Sequence, residues 1–220
     1  MSKGDEERAH YPCPACGSTL YGWVKIKAAE GPEPVLDRCE SCGLAVTRAD
    51  QPVDVRAELA GISRGPGEYA AANRRSWQSS LGEGHWAALD SQHRIYLTPR
   101  AATLLFEQEG LEIGRISYPR SGRNIGWMWQ TLMNALTLRD NFARDARAGR
   151  IRPEGSRQRT AYGIDMVVTV LAAIPVTLLT GPLELLAALF RRGGEMVIQA
   201  RPMAMQPVPE LDDADELAPG

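Results

Sequence analysis

The sequence predicts an α+β protein, in which a small N-terminal β module built around zinc precedes a mainly helical region with a C-terminal antiparallel β-hairpin. Four cysteines form two Cys-x-x-Cys pairs, helix and strand patterns alternate further along, and residues 166–183 carry no charge. These observations place a zinc ribbon at residues 11–50, a linker at residues 51–82 and the larger region at residues 83–203.

The two cysteine pairs predict a structural zinc site. Cys13 and Cys16 stand in CPACG, and Cys39 and Cys42 stand in CESCG. Two thiolates at this spacing hold one side of a tetrahedral Zn²⁺, and a second pair closes the other side. Two disulfides or a redox dithiol are the alternatives. Disulfides need an oxidising compartment, and residues 1–12 are too polar to be the secretory signal that would take the protein to one. We expect a closed site that stabilises the fold and performs no chemistry.

Short strand patterns complete the ribbon, and a polar segment follows them. Residues 20–26, 34–38 and 43–48 are strand candidates arranged around a Gly-Pro turn. Residues 51–82 are polar and rich in alanine, and a Gly-Pro-Gly sequence interrupts them. This composition predicts a linker that is helical in part.

The larger region contains clear helix and strand signals. Thr98 is suited to cap a helix whose first turn contains Pro99, and a glycine ends the pattern. Residues 111–119 then alternate between apolar and polar, as a half-buried strand does, and residues 195–202 read as another strand. Between these strands, residues 127–146 suit an amphipathic helix.

An apolar segment near the C-terminus is the second strong signal. The uncharged residues 166–183 reach the lower limit of the ~17–25 residues that cross a bilayer. Pro175 lies in the middle of this segment, and Gly181 and Pro182 end it. We therefore expect an apolar helical hairpin over residues 164–190, because a buried or interfacial helix pair accepts such interruptions better than a membrane span does.

Arginines flank this apolar hairpin on both sides. Seven lie between residues 139 and 159, and Arg191 and Arg192 follow the hairpin. The favoured placement buries the helices or pairs them with a protein partner or a second copy. The second hypothesis is that the helices contact an anionic membrane surface, and the third is that they cross the membrane. Nucleic acid is not an expected partner, because no aromatic residues interleave with the basic stretch after Phe142.

The two ends of the chain are expected to be disordered. Residues 1–10 are polar and charged, and residues 204–220 contain five acidic residues, three prolines and no basic residue. Reduced cysteines and a polar N-terminus together predict a cytoplasmic protein. Under the alternative of membrane contact, the protein would be peripheral to the inner face of the membrane.

Two blocks of the sequence carry motifs of one protein family. The ribbon block reads CPACGSTLYGW and DRCESCGLAVTRADQP, and the second reads HWAALDSQHRIYLTPRAATLLFEQEGLEIGRISYP with RRGGEMVIQARP at its end. In this order they resemble bacterial class I S-adenosylmethionine-dependent methyltransferases with an N-terminal zinc ribbon. The resemblance covers residues 11–53 and 83–203. It implies that the larger region is the remnant of a Rossmann-like methyltransferase domain.

The part of that family that binds the cofactor has no match. It should contain a glycine-rich loop between a buried strand and a helix, with an acidic residue on the next strand for the ribose. Residues 51–82 occupy this place, and no apolar strand precedes their glycines. S-adenosylmethionine is therefore not an expected cofactor, and no cofactor-binding residue is assigned.

No catalytic residue is assigned either. His85 and His93 could act as general bases because imidazole titrates near neutrality, but we expect both to be structural or exposed. Ser79, Ser80 and Asp90 offer no ordered triad. The sequence thus predicts a zinc-binding, methyltransferase-derived scaffold or binding protein rather than an enzyme. The alternative is a methyltransferase for a small or lipid-linked substrate, with the cofactor half supplied by a partner.

Overall fold

A computed structural model describes residues 11–26, 34–49, 51–89 and 93–204. Within these ranges the chain forms two antiparallel sheets and six α-helices, which confirms the α+β class. The strands are β1 (Leu20–Lys25), β2 (Val35–Cys39), β3 (Ala45–Thr47), β4 (Ser63–Gly65), β5 (Glu68–Ala72), β6 (Ile95–Tyr96), β7 (Leu111–Ser117) and β8 (Glu195–Pro202). The helices are α1 (Val55–Gly61), α2 (Trp77–Gly82), α3 (Pro99–Gln108), α4 (Gly122–Leu136), α5 (Phe142–Arg147) and α6 (Ser156–Leu189). The disorder predicted for residues 1–10 and 204–220 concerns segments that, apart from Ala204, lie outside these described residues.

The first sheet holds the ribbon and has the strand order β1-β2-β3-β6. The strands β1 and β2 pair antiparallel, with Leu20 opposite Cys39, and β3 pairs antiparallel with β2. The fourth strand, β6, comes from the larger region and pairs with β3, so that Ala45 lies opposite Tyr96. The ribbon therefore shares a continuous sheet with the part of the chain that follows it.

The second sheet has the order β4-β5-β8-β7 and draws two strands from residues 51–82. Part of this segment is helical, as expected, but β5 pairs along its whole length with β8. The predicted antiparallel pairing of the C-terminal strands is present between β7 and β8. These two strands are neighbours in a four-stranded sheet, and α4, α5 and α6 lie between them in the sequence, so they do not form a simple hairpin.

The predicted Rossmann-like remnant has no counterpart in these sheets. Their strands pair antiparallel throughout the described residues, apart from one isolated parallel bridge between Asn73 and Leu97. Rossmann-type halves are instead built on parallel strands joined by crossover helices. The methyltransferase origin therefore stays a prediction from sequence motifs alone.

Two helices of the larger region differ in their bounds from the predicted helix at residues 127–146. The helix α4 begins at Gly122, where the side chain of Ser121 accepts a hydrogen bond from the backbone of Asn124, and it ends at Leu136. Asn141 then adopts a positive φ of 58°, which asparagine tolerates better than most residues, and α5 follows it. A short turn thus divides the predicted helix into two.

The expected apolar hairpin is wrong, because α6 is one continuous helix of 34 residues. Pro175 and Pro182 lie inside it, on the exposed side. Each proline removes one backbone hydrogen bond, but a ring that points outward does not disturb the packed side, and the leucines and alanines on both sides are good helix formers. At about 1.5 Å per residue the helix is roughly 51 Å long.

Candidate metal centre and exposed helix surface

The four cysteines lie together at one end of the first sheet, where Cys39 is the last residue of β2. All four Sγ atoms lie within 4.8 Å of one another. The Sγ atoms of Cys13 and Cys42 are 3.6 Å apart, and those of Cys16 and Cys39 are 3.4 Å apart. A tetrahedral ion with Zn–S bonds of about 2.3 Å places its sulfur ligands about 3.8 Å apart, so these distances are close to those of a metal site.

Two matching turns position the sulfur atoms. In the first, the amide of Gly17 donates to the backbone oxygen of Cys13 at 2.8 Å, and in the second Gly43 donates to Cys39 at 2.9 Å. Both glycines have a positive φ, 71° and 77°, so that a residue with a Cβ would be strained at either place. This similarity shows how each Cys-x-x-Cys pair forms one half of the centre.

The surroundings of the sulfur atoms affect the protonation of the thiols unequally. Burial raises the pKa of Cys13 well above its ordinary value, and it raises the pKa of Cys42 to about 11. Burial acts in the same direction on Cys16, but hydrogen bonds from Ser18 prevail and lower its pKa to about 6. A bound cation would replace the protons of the buried thiols and stabilise the thiolates.

The chemistry of this donor set fits zinc. Four thiolates in a closed tetrahedral arrangement are typical of structural Zn²⁺ and leave no position open for a substrate. The four predicted cysteines can therefore hold a metal ion, and their geometry is consistent with zinc.

The helix α3 contacts the cysteine cluster directly. The hydroxyl of Thr98, the residue that caps α3, donates to the backbone oxygen of Cys42 at 2.6 Å. At the other end of the helix, Gln108 donates to the backbone oxygen of Ala15 at 3.1 Å. Each knuckle is therefore held by one end of the same helix.

The other candidates from the sequence do not assemble into a catalytic arrangement. His85 contacts Asp140 through its Nδ1 atom at 2.6 Å, beyond the end of α2. The hydroxyl of Ser80 donates to its own helix, to the backbone oxygen of Ser76 at 3.0 Å. His93 is exposed, and Asp90 lies outside the described residues.

The outward face of α6 is apolar and exposed. This helix is the one, among the described residues, that is long and apolar enough to cross a membrane by length and composition. Only 11% of its most apolar window is buried. We define the outward face by its exposed large apolar side chains: Ile164, Val167, Val170, Leu171, Ile174, Leu178, Leu179, Leu185, Leu186 and Leu189.

The inward face of α6 carries three buried polar side chains beside the small apolar residues Val176 and Ala187. Asp165, Thr180 and Glu184 are each exposed by 2% or less. Asp165 accepts a hydrogen bond from the backbone amide of Leu138 at 2.6 Å. The carboxylate of Glu184 accepts one from Gln78 at 2.9 Å and one from the amide of Gly194 at 3.0 Å.

This polarity is the reverse of that of a helix on the surface of a soluble protein, which buries its apolar face. Burial raises the pKa of Glu184, although the hydrogen bonds from Gly194 and Gln78 oppose this effect. The buried polar residues of the inward face were not predicted from the sequence. Asp165 and Glu184, just outside the uncharged segment at its two ends, were the available signal.

Comparisons with known proteins add no relative. No family model matches the chain, no curated protein matches it, and no solved structure matches it. We therefore infer the function of this chain from its cysteine cluster and its surfaces.

Proposed function

We propose that this protein is a zinc-stabilised, non-catalytic binding protein that attaches to an anionic membrane surface through the outward face of α6. The observation that carries this proposal is the reversed polarity of the helix. Leu171, Ile174 and Leu178 are each more than 70% exposed, while Asp165, Thr180 and Glu184 are buried on the opposite side of the helix. A hydrocarbon boundary is the environment that favours this arrangement over water.

Contacts at both ends of α6 favour attachment parallel to the surface over a transmembrane orientation. Asp165 and Glu184, about 28 Å apart along the axis, both bond to the folded body of the protein. The helix α4 packs against α6, and the segment formed by α2 and the residues after it packs against α4. In this segment Gln78 donates to the backbone oxygen of Asn124, and the backbone oxygen of His85 accepts from Asn134. In a transmembrane orientation this polar segment would enter the hydrocarbon, at a cost of several kcal/mol per unsatisfied group.

Charge at the ends of α6 supports an anionic surface. Arg157 and Arg159 are exposed on the first turns of the helix, and Arg191 and Arg192 follow its last turn. Each basic residue near an anionic leaflet contributes about 1 kcal/mol of attraction. The inner face of the cytoplasmic membrane is the location that we propose for the protein.

Sedimentation with vesicles tests this proposal. We expect the protein to sediment with vesicles of equal parts phosphatidylglycerol and phosphatidylcholine, and to bind phosphatidylcholine alone much more weakly. The double variant Leu171→Asp, Leu178→Asp should lose at least ten-fold in affinity for the anionic vesicles. Met203→Asp is the matched control, because Met203 is exposed beyond β8, roughly 26 Å along the strand from Glu195.

Further outcomes separate the possible occupants of this face. Alkaline carbonate should release the bound protein, whereas retention after this wash would indicate a transmembrane helix. A stable dimer in solution that the same double variant dissociates would show that a second copy covers the face. Either result, or equal sedimentation of the double variant and the wild type, would contradict the proposal.

The methyltransferase alternative can be tested separately. It requires S-adenosylmethionine to bind, with the help of a partner that supplies the missing half of the domain. Saturable binding in the micromolar range by the isolated chain, measured by calorimetry, would contradict the proposal that this chain has no cofactor site of its own.

A further inference from the structure

The surface has a cleft whose described lining includes neither the four cysteines nor a residue of α6. This cleft of about 1390 Å³ is lined by residues of both sheets, of α4 and of the segment around α5. Small side chains make much of its wall: Ala70, Ala71, Ala72, Ala87 and Ala88. Such a cleft is larger than the ~300–1,000 Å³ of ordinary small-molecule sites.

Two arginines and one buried carboxylate form a polar wall of this cleft. Glu195 is 3% exposed, and its Oε1 atom lies 2.6 Å from the Nη2 atom of Arg64. The guanidinium of Arg123 also contacts this carboxylate. Arg123 in turn lies over the ring of Trp127, with 5.1 Å between the guanidinium carbon and the ring centroid. Glu195 therefore holds two guanidinium groups in place at one wall.

Among the residues that the structure describes, the lining of the cleft has more arginines than carboxylates. Five arginines and three carboxylates belong to this described lining. Near its rim, Arg144 and Arg150 both pair with Asp145. Burial, and to a smaller extent the charge of the neighbouring Arg64, lowers the pKa of Arg123. A bound anion would relieve the repulsion between these two arginines.

We propose that the cleft binds an organic phosphate with an apolar body, its phosphate held by Arg64 and Arg123 and its apolar part lying along the alanines and Trp127. Each guanidinium has five N–H donors, and one carboxylate cannot accept from all of them. The remaining donors suit the several oxygens of a phosphate, which arginine binds in a bidentate manner. This proposal does not depend on attachment to a membrane.

Two ligands distinguish a free phosphate from a lipid phosphate. We would titrate the full chain by calorimetry with inorganic phosphate and with dihexanoyl phosphatidic acid below its micellar concentration. The short-chain lipid should bind saturably and at least ten-fold more tightly than inorganic phosphate. Absence of saturable binding by both, or equal affinity for both, would overturn the proposal.

Three variants locate the binding. Arg123→Lys keeps a cation beside Glu195 and should fold, but the loss of bidentate geometry should weaken binding of both ligands about ten-fold. Ala87→Leu fills the apolar wall and should weaken only the lipid. The control is Arg201→Lys, because Arg201 pairs with Glu112 on the exposed surface of the second sheet. Unchanged affinity in both cleft variants, with thermal unfolding showing that they are folded, would contradict the site.

Discussion

Thr98 joins the cysteine cluster to the larger region through a single side chain. Its hydroxyl donates to Cys42 at 2.6 Å and accepts from the amide of Ala101 at 3.1 Å. These two bonds fix the orientation of the side chain, so its methyl group has little freedom to move. An added Cβ at Gly43 would lie 2.8 Å from this methyl carbon. The second knuckle is therefore constrained by its neighbour as well as by its own backbone.

This constraint predicts unequal effects of alanine at the two knuckle glycines. Gly17→Ala should cost about 1–2 kcal/mol, because a left-handed backbone is unfavourable for alanine, and its added Cβ would meet nothing within 4 Å. Gly43→Ala carries the same backbone cost and about 1–3 kcal/mol more, because it crowds Thr98. Thermal unfolding of the zinc-loaded variants measures the difference. Equal losses of stability would contradict the close packing of Thr98 against the second knuckle.

At the scale of single elements, local signals determined which predictions agreed with the structure. The cap at Thr98 and the proline after it are contained within one turn, so α3 begins where the sequence predicts. The strand β5 has few of the branched side chains that favour strands, and its pairing with β8 depends on residues more than a hundred positions away. The hairpin expectation gave too much weight to two prolines whose rings point outward from α6.

Gly181→Ala distinguishes the continuous helix from the predicted hairpin. Within a continuous α6 this glycine has no positive φ, and an added Cβ would meet nothing within 4 Å. Alanine should then stabilise the protein by about 0.5–1 kcal/mol, because it restricts the unfolded chain and favours the helix. Gly163→Ala is the matched control, since Gly163 lies in the same helix with the same open space.

Urea unfolding measures both effects. A gain for Gly163→Ala accompanied by a loss for Gly181→Ala would indicate a turn at residue 181 and contradict the single helix. A gain for both agrees with an uninterrupted element, which the in-plane attachment to a membrane also requires.

At the scale of the whole molecule, the structure brings together residues that no local pattern connects. The cysteine pairs could be interpreted from the sequence because each pair is a local motif with one well-known chemistry. Arg64 and Glu195 are 131 positions apart, and Arg64 lies in a segment predicted to be a linker, so the polar wall of the cleft could not be predicted. The reversed polarity of α6 also required knowledge of which helix face contacts the body.

One apolar core connects the metal centre with both sheets. The same cluster of buried side chains contains Cys39, Phe106 of α3 and Ile198 of β8. The ribbon sheet also continues into β6. A ribbon that folded independently would share neither its core nor its sheet with the rest of the chain. Loss of the metal should therefore destabilise the whole molecule and not the ribbon alone.

Removal of the metal tests this coupling. The ion should be released by a strong chelator in the presence of moderate urea, and the helical circular dichroism signal should fall with the same midpoint as metal release. The physical reason is that binding energy at a closed four-thiolate site, of order 10 kcal/mol for structural zinc in small peptides, is also folding energy for everything that packs on the ligands. Cys39→Ser should show the same global loss of stability without chelator, since Cys39 is fully buried in that core. A helical signal that persists unchanged after metal release, in the wild type or in this variant, would show instead that the ribbon is an independent unit.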